Sequence, residues 1–210
     1  MRRLLIAAVT VGFTLLAGIS QANSPSTKPE AVRGEKAKAA FARLKTLAGE
    51  WRGKSTKGWT EKITYDVIAG GSVIMERSFG AHPNEWMTTM FHLDGDRLLL
   101  THYCIAKNQP RLVATKISDD GSQITFEFLD GTNLKSRDQG HMDKVVFNLP
   151  GKDRFTAKWS WYQDGKENWM EEIEHRRETK SAPAHASASL SLPCCGASPA
   201  KSASIQNASR

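Results

Sequence analysis

Apolar and polar residues alternate with a period of two along most of the chain after residue 49. From Lys62 to Val67 every second residue is apolar, and similar alternation runs through residues 123–129 and 154–163. This period places one set of side chains on one face of a β-strand. Turn signals recur mostly at intervals of about a dozen residues, a spacing typical of antiparallel sandwiches and barrels; they include Gly70-Gly71, Asp94-Gly95, Asp120-Gly121 and Asp164-Gly165.

The alternating segments and the turns between them predict about ten strands. No gap between them is long enough for a crossover helix, so neighbouring strands are expected to be antiparallel. Closure would remove both exposed edges. We therefore predict an all-β, up-and-down barrel with room for a ligand cavity, built from strands at 49–57, 60–69, 72–80, 85–93, 97–105, 111–118, 123–129, 141–148, 154–163 and 167–176.

Residues 35–47 follow a helical period instead. Ala40, Phe41, Leu44 and Leu47 fall on one stripe of a helix. Gly49 is expected to end it, because glycine commonly terminates helices. A short α-helix should therefore precede the barrel.

The first 22 residues have the pattern of a secretory signal peptide. Arg2 and Arg3 give a positive start, an uncharged apolar run extends from Leu4 to Ile19, and Ala22 precedes the expected cleavage point. The run is shorter than the ~20 residues that a membrane-spanning helix needs. We therefore expect an exported protein, periplasmic or secreted, without stable membrane insertion after cleavage.

Two polar segments flank the expected folded part. Residues 23–34 form a polar spacer, and residues 179–210 are half Ser and Ala with no aromatic residue. The second segment has too little apolar surface to offset the entropy lost on ordering. We predict a disordered tail over 179–210 and one barrel domain over 35–178.

The formal net charge of +7 lies mostly outside that domain. The signal segment, the spacer and the tail hold most of it, and residues 35–178 have a net charge of +1. Binding to a phosphate backbone requires a basic surface. The charge distribution therefore predicts no nucleic-acid partner.

The segment Gly49-Glu50-Trp51 follows the helix and opens the first strand. A Gly-x-Trp in this place is similar to the signature of lipocalin-like (calycin-type) barrels. The runs 101–104 and 108–111 resemble an uncharacterised bacterial family of exported lipocalin-like domains. The resemblance covers about residues 38–177 and implies a lipocalin-like barrel. It also implies that Trp51 closes one barrel end beneath a basic residue of the last strand. Arg176 and Arg177 are the two candidates, and Arg176 is the predicted closing residue.

A looser similarity links Leu47-Ala48-Gly49-Glu50-Trp51 to nitrobindin-type barrels, which bind haem through a late histidine. That resemblance compares His175 with the haem ligand. Its neighbours Glu171, Glu172 and Glu174 do not suit an apolar macrocycle. We expect no cofactor, with haem as an alternative.

One candidate ligand site lies around residue 102. His102 and Cys104 share a strand face with Leu98 and Leu100, and a hairpin would bring Arg111 onto the neighbouring strand. Inside a barrel, the guanidinium could hold a ligand carboxylate through two hydrogen bonds. Alternatively, Arg111 forms an internal ion pair and His102 is a satisfied barrel residue.

Arg77 interrupts a second apolar face, formed by Val73, Met75 and Phe79. A charge there needs a partner or a wet cavity. Glu171 is one possible partner, and an exposed strand end is the alternative.

Tryptophans supply the remaining candidate residues. Trp86, Trp159 and Trp161 suit an apolar ligand pocket, although they suit a packed core equally well. The histidines show no H-x-H or H-x-x-x-H spacing, so no metal site is predicted.

These residues favour an exported protein that binds a small, partly apolar molecule with an acidic group. The predicted ligand-binding residues are Arg77, Trp86, His102, Arg111, Trp159 and Trp161. One alternative is an enzyme that uses His102 in the same cavity as acid or base. Another is a structural module of the cell envelope with a filled interior.

Overall fold

The computed structural model describes residues 28–82 and 85–178 of the 210-residue chain. The signal segment 1–22 and the tail 179–210 lie outside the described residues. Within them, one α-helix precedes ten β-strands and a single 3-10 turn, Ala69–Gly71. The helix is α1 (Glu35–Lys45), and the strands are β1 (Gly49–Ser55), β2 (Thr60–Ile68), β3 (Val73–His82), β4 (Glu85–Asp94), β5 (Arg97–Tyr103), β6 (Gln109–Ile117), β7 (Gln123–Thr132), β8 (His141–Asn148), β9 (Arg154–Gln163) and β10 (Lys166–Arg177).

The ten strands form a closed antiparallel barrel. Each strand pairs with the next along the chain, and β10 returns to pair with β1. Tight turns make this order possible: Gly95, with a φ of 60°, and Gly165, with a φ of 76°, occupy the left-handed region that favours glycine. The predicted all-β up-and-down barrel with a preceding helix is confirmed.

Helix α1 packs at the end of the barrel where β4 ends and β5 begins. Ala37, Ala40, Phe41 and Leu44 are buried on one side of the helix, and α1 contacts β4, β5 and β6. The backbone N–H of Gly34 also donates to Asp96 O in the β4–β5 turn, at 2.9 Å. We call this end of the barrel the helix end and the opposite end the open end.

The helix stops earlier than the sequence predicts. It ends at Lys45 rather than near Gly49, with Thr46 as its C-cap residue. The Thr46 hydroxyl donates to Arg43 O at 2.7 Å and so satisfies one terminal carbonyl. Leu47 is buried after the helix, and its carbonyl accepts a hydrogen bond from the Trp51 indole at 2.7 Å.

Trp51 is fully buried at the helix end, where its ring meets Phe155 edge-to-face with centroids 4.8 Å apart. The basic residue over that ring is Arg177, with its guanidinium carbon 4.2 Å from the ring centroid. The assignment of this role to Arg176 is wrong: strand register pairs Trp51 with Arg177, so the neighbouring Arg176 faces outward. Arg176 is exposed and forms an ion pair with Glu174 at 2.7 Å.

The helix end of the barrel interior is packed with aromatic rings. Phe91 lies 6.0 Å from Phe126 and 5.8 Å from Phe147, and Phe126 lies 6.1 Å from Phe147, all edge-to-face. All three rings are completely buried. This cluster fills the barrel beneath α1 and leaves the open end for a cavity.

Candidate functional site

A cavity of about 830 Å³ occupies the open end of the barrel. Its walls are mainly apolar and aromatic, with Trp59, Ile63, Met142, Trp159 and Trp161 among them. Exposed residues such as Lys57 and Trp169 also line it, so the cavity communicates with solvent at this end.

Three of the predicted ligand-binding residues line the cavity: His102, Trp159 and Trp161. Cys104, which shares the strand face of His102, lines it as well. The His102 and Trp159 rings lie 5.2 Å apart between centroids. The face of β5 that holds His102 and Cys104 therefore points inward.

The prediction that Arg111 lines the cavity is wrong. Arg111 pairs in register with Thr101, the neighbour of inward-facing His102, so it lies on the outer face. There it forms a two-bond ion pair with Asp130, in which Nε and Nη2 each donate to a carboxylate oxygen at 2.5 Å. An ion pair is the alternative that the sequence left open, but it forms outside the barrel rather than inside.

Arg77 and Trp86 also face outward rather than into the cavity. Ile74 and Glu76 on β3 are buried, as are Thr89 and Phe91 on β4. The alternate positions of these strands, which hold Arg77 and Trp86, therefore face outward. Arg77 pairs with Asp66 at 2.7 Å, not with Glu171. Trp86 is 69% exposed.

Sequence reasoning missed two acidic residues that are buried inside the barrel. Glu61 shares the inward face of β2 with Ile63 and Tyr65, and Glu76 lies on the inward face of β3. Both positions obey the period of two. Alternation therefore marks both positions, but on β3 the face containing Val73 and Met75 is the more apolar one, so the sequence favours that face as the interior.

Glu76 belongs to a hydrogen-bonded chain that crosses four strands, β2 to β5. The Tyr65 hydroxyl donates to Glu76 Oε2 at 2.7 Å, and the Thr89 hydroxyl lies 3.2 Å from Oε1. Thr89 Oγ1 is also 3.0 Å from His102 Nδ1. We call Tyr65, Glu76, Thr89 and His102 the His102 chain.

Burial shifts the titration of three members of the His102 chain. It raises the pKa of Glu76 from 4.5 to about 7, an effect that the charge of Glu61 reinforces and the hydrogen bonds from Tyr65 and Thr89 oppose. Burial also raises the pKa of Tyr65 well above 10. It lowers the pKa of His102 to about 4, so this imidazole is neutral near neutral pH.

Glu61 belongs to a second buried group. His175 Nε2 lies 2.9 Å from Glu61 Oε1, and the Ser78 hydroxyl donates to Glu61 Oε2. The His175 ring stacks on Phe155 with centroids 4.2 Å apart. Because Glu61 already occupies Nε2, that nitrogen is not free to bind the iron of a haem, the role with which the nitrobindin resemblance compared His175.

Gly53 makes this second group possible. A Cβ atom at position 53 would lie 2.8 Å from Cγ of Glu61 and 3.0 Å from the His175 ring. The Glu61 and His175 side chains meet directly above the backbone of Gly53, which has no side chain to separate them. Glycine is therefore required at position 53 for close approach rather than for an unusual backbone angle.

A third carboxylate lies nearer the mouth of the cavity. Ser55 and Trp59 donate to Glu171 Oε2 at 3.2 and 3.1 Å. Among the described lining residues, Lys57 is the one Lys or Arg, and it is exposed. The described lining therefore contains more carboxyl groups than cationic groups.

No group of three or more His, Cys, Asp or Glu side chains among the described residues is placed to hold a metal ion. No helix in the described part of the chain is long and apolar enough to cross a membrane.

The fold and the site together define a closed ten-stranded antiparallel β-barrel with an internal cavity. No protein-family model matches the chain. No curated protein matches its sequence significantly.

Solved structures offer a distant likeness. One is a crystal structure of a protein of unknown function from the DUF3598 family of Nostoc punctiforme, with 13% sequence identity and a TM-score of 0.45. The aligned region covers 75% of this chain and 53% of that one, so the chain spans about half the length of the protein it matches. Membership of a lipocalin-like family stays a prediction.

Proposed function

We propose that this protein is an exported small-molecule-binding protein that holds a partly apolar ligand inside its barrel. The observation that carries the proposal is the open cavity of about 830 Å³, in which apolar walls surround buried hydrogen-bonding groups. Ligand sites typically have volumes of about 300–1,000 Å³, with mostly apolar linings and a few placed polar groups. Export rests on the signal-like pattern of residues 1–22.

The polar part of the ligand should donate hydrogen bonds rather than carry a carboxylate. The expectation of an acidic group depended on Arg77 and Arg111, which pair with Asp66 and Asp130 on the outside of the barrel. The described carboxyl groups that line the cavity belong instead to Glu61, Glu76 and Glu171. A carboxylate buried among acceptors would be desolvated without a partner, which is costly. We therefore propose a neutral or basic ligand.

A retained ligand can be detected by native mass spectrometry of protein purified from its own source. Binding can also be measured by the fluorescence of an apolar dye that brightens inside the barrel. Ala157 lines the cavity, and its neighbour Thr156 faces outward. We expect Ala157→Trp to fill part of the cavity and abolish dye binding, and Thr156→Trp to leave it intact.

The same experiment addresses the alternatives. Absence of both a retained molecule and dye binding would support an envelope structural module and overturn the proposal. Chemical conversion of a bound molecule would favour the enzyme with His102 as acid or base.

A further inference from the structure

The strongest unexplained feature of the cavity is the imidazole of His102. The residue lines the cavity and is 4% exposed, and its Nε2 is buried without a hydrogen-bond partner among the described residues. Leaving such an atom unpaired is unfavourable by about 1–3 kcal/mol. Its other ring nitrogen, Nδ1, is occupied by Thr89 at 3.0 Å. His102 lines the cavity, so a bound ligand is a candidate partner for Nε2.

We propose that the ligand donates an N–H or O–H to His102 Nε2 while Glu76 is ionised, and that protonation of Glu76 reverses this preference to an acceptor. The proposal rests on the proposed function, because it names the chemistry of the ligand that the cavity binds. It makes His102 a ligand-binding residue and Glu76 a residue that sets its tautomer.

The direction of the His102 chain follows from counting protons. An ionised carboxylate only accepts, so Glu76 takes the Tyr65 proton at Oε2 and the Thr89 proton at Oε1. Thr89 has one hydroxyl proton, and once it is donated the oxygen can only accept. His102 must then carry its proton on Nδ1, which leaves a lone pair on Nε2.

Protonation of Glu76 reverses each bond between Glu76 and His102. Oε2 still accepts the hydroxyl proton of Tyr65, so the added proton lies on Oε1 and is donated to Thr89. Thr89 then donates to His102 Nδ1, and the imidazole proton moves to Nε2. Nε2 becomes a donor without any change in the charge of His102.

The shifted titration of two groups puts this exchange in an ordinary pH range. Burial raises the pKa of Glu76 to about 7 and lowers the pKa of His102 to about 4. Between pH 5.5 and 8.5 the carboxyl group therefore changes its charge, while the imidazole stays neutral. The response is a change of tautomer rather than of histidine charge.

Other titratable groups also face the cavity. β2 contributes Tyr65, whose pKa is raised well above 10, and Glu61, which bonds to His175 of β10. The described residue that lines the cavity from β4 is Met87, which does not titrate. Burial raises the pKa of Cys104 on β5, so it stays a thiol near neutral pH. Lys57 and Glu171 complete the described set. Variants of the His102 chain itself are needed to separate its effect from theirs.

Indole and benzofuran make a matched pair of probes. They share a shape, but indole presents an N–H donor where benzofuran presents an oxygen acceptor. Binding is measured by NMR titration at pH 8.5 and pH 5.5. We expect indole to bind the wild-type protein more tightly at pH 8.5 by roughly three- to tenfold, the worth of one hydrogen bond. Benzofuran, whose ring oxygen is a weaker acceptor, should bind more tightly at pH 5.5 by a smaller factor.

Two variants test whether Glu76 sets the tautomer of His102 through Thr89. In Glu76→Gln, the amide N–H₂ donates to Thr89 permanently, so benzofuran should be preferred at both pH values. In Thr89→Val, the connection is broken, so the preference should no longer depend on pH. The ¹⁵N shifts of the His102 ring in the wild-type protein report the tautomer directly and do not depend on the stability of a variant.

Each outcome decides the question. A preference that does not change with pH in the wild-type protein, or an unchanged tautomer, overturns the proposal. If the tautomer switches but the two probes bind equally, water completes His102 and the proposal also fails. If both probes bind equally and Ala157→Trp blocks them, the binding function stands without this inference; if nothing binds, both fail.

Discussion

The two ends of the barrel interior are built from the same alternating strands but serve opposite purposes. At the helix end, Phe91, Phe126 and Phe147 are completely buried and touch edge-to-face beneath α1. At the open end, Trp159 and Trp161 line a cavity of about 830 Å³ instead of filling it. The packed end holds the strands together, and this lets the open end enclose a cavity lined partly by buried polar groups.

The contrast predicts that truncating an aromatic ring to Ala lowers the free energy of unfolding more at the helix end than at the open end. Phe147→Ala removes a completely buried ring from the packed end, and it should lower the free energy of unfolding by about 3–5 kcal/mol, as such truncations do in packed cores. Trp161→Ala removes a half-buried ring from the cavity wall and should cost less than half as much, because little new void is created. Urea denaturation of both variants measures the difference. Equal losses would contradict the division into two ends.

The buried carboxyl of Glu76 should make the open end sensitive to pH. Because burial raises its pKa from 4.5 to about 7, the folded protein holds a proton there that the unfolded chain releases. This stabilisation is complete below pH 4.5 and is lost as the pH rises through 7. The Glu76→Gln variant has no proton to lose at this position. Its free energy of unfolding relative to that of the wild type should therefore rise by on the order of 3 kcal/mol between pH 4.5 and 8.

Urea denaturation of both proteins across this range isolates Glu76 from the other titrating groups. A flat difference for Glu76→Gln would show that the carboxyl titrates normally.

Gly53 offers a sharper test of the second buried group. Ala at this position would place a Cβ 2.8 Å from Glu61 Cγ and 3.0 Å from the His175 ring, and such overpacking costs about 1–3 kcal/mol. Gly151 has no heavy atom within 4 Å of the same built position, so Gly151→Ala should be nearly neutral. Thermal unfolding compares the two, and a neutral Gly53→Ala would mean that Glu61 and His175 have room to move apart.

The fold was predictable because its signals are local. Alternation along β9 and turn pairs such as Asp164-Gly165 depend on a few neighbouring residues, and the strand bounds at 141–148 and 154–163 match the structure. The length of α1 was less well predicted, because Thr46 supplies the C-cap before Gly49 is reached.

The site was only partly predictable, since alternation does not say which face points inward. On β5, Leu98 and Leu100 share the inward face of His102, but Leu99 on the other face is equally apolar and buried, so the apolar residues alone do not separate the two faces. On β3, both faces are mixed, and the more apolar one, with Val73 and Met75, lies outside. Barrel closure and strand register determine which face of β3 points inward, and these depend on residues far apart in the sequence.

Arg111 should show the smallest effect. Its side chain is 47% exposed in the pair with Asp130 on the outer surface, and exposed ion pairs contribute about 0–1 kcal/mol. Arg111→Ala should therefore change the free energy of unfolding by less than about 1 kcal/mol and leave dye binding in the cavity unchanged. His102→Phe, at an inward position two strand residues from Leu100, is the comparison that should alter the choice between indole and benzofuran. Loss of binding in Arg111→Ala would place the guanidinium inside the barrel and reverse the assignment of faces on β6.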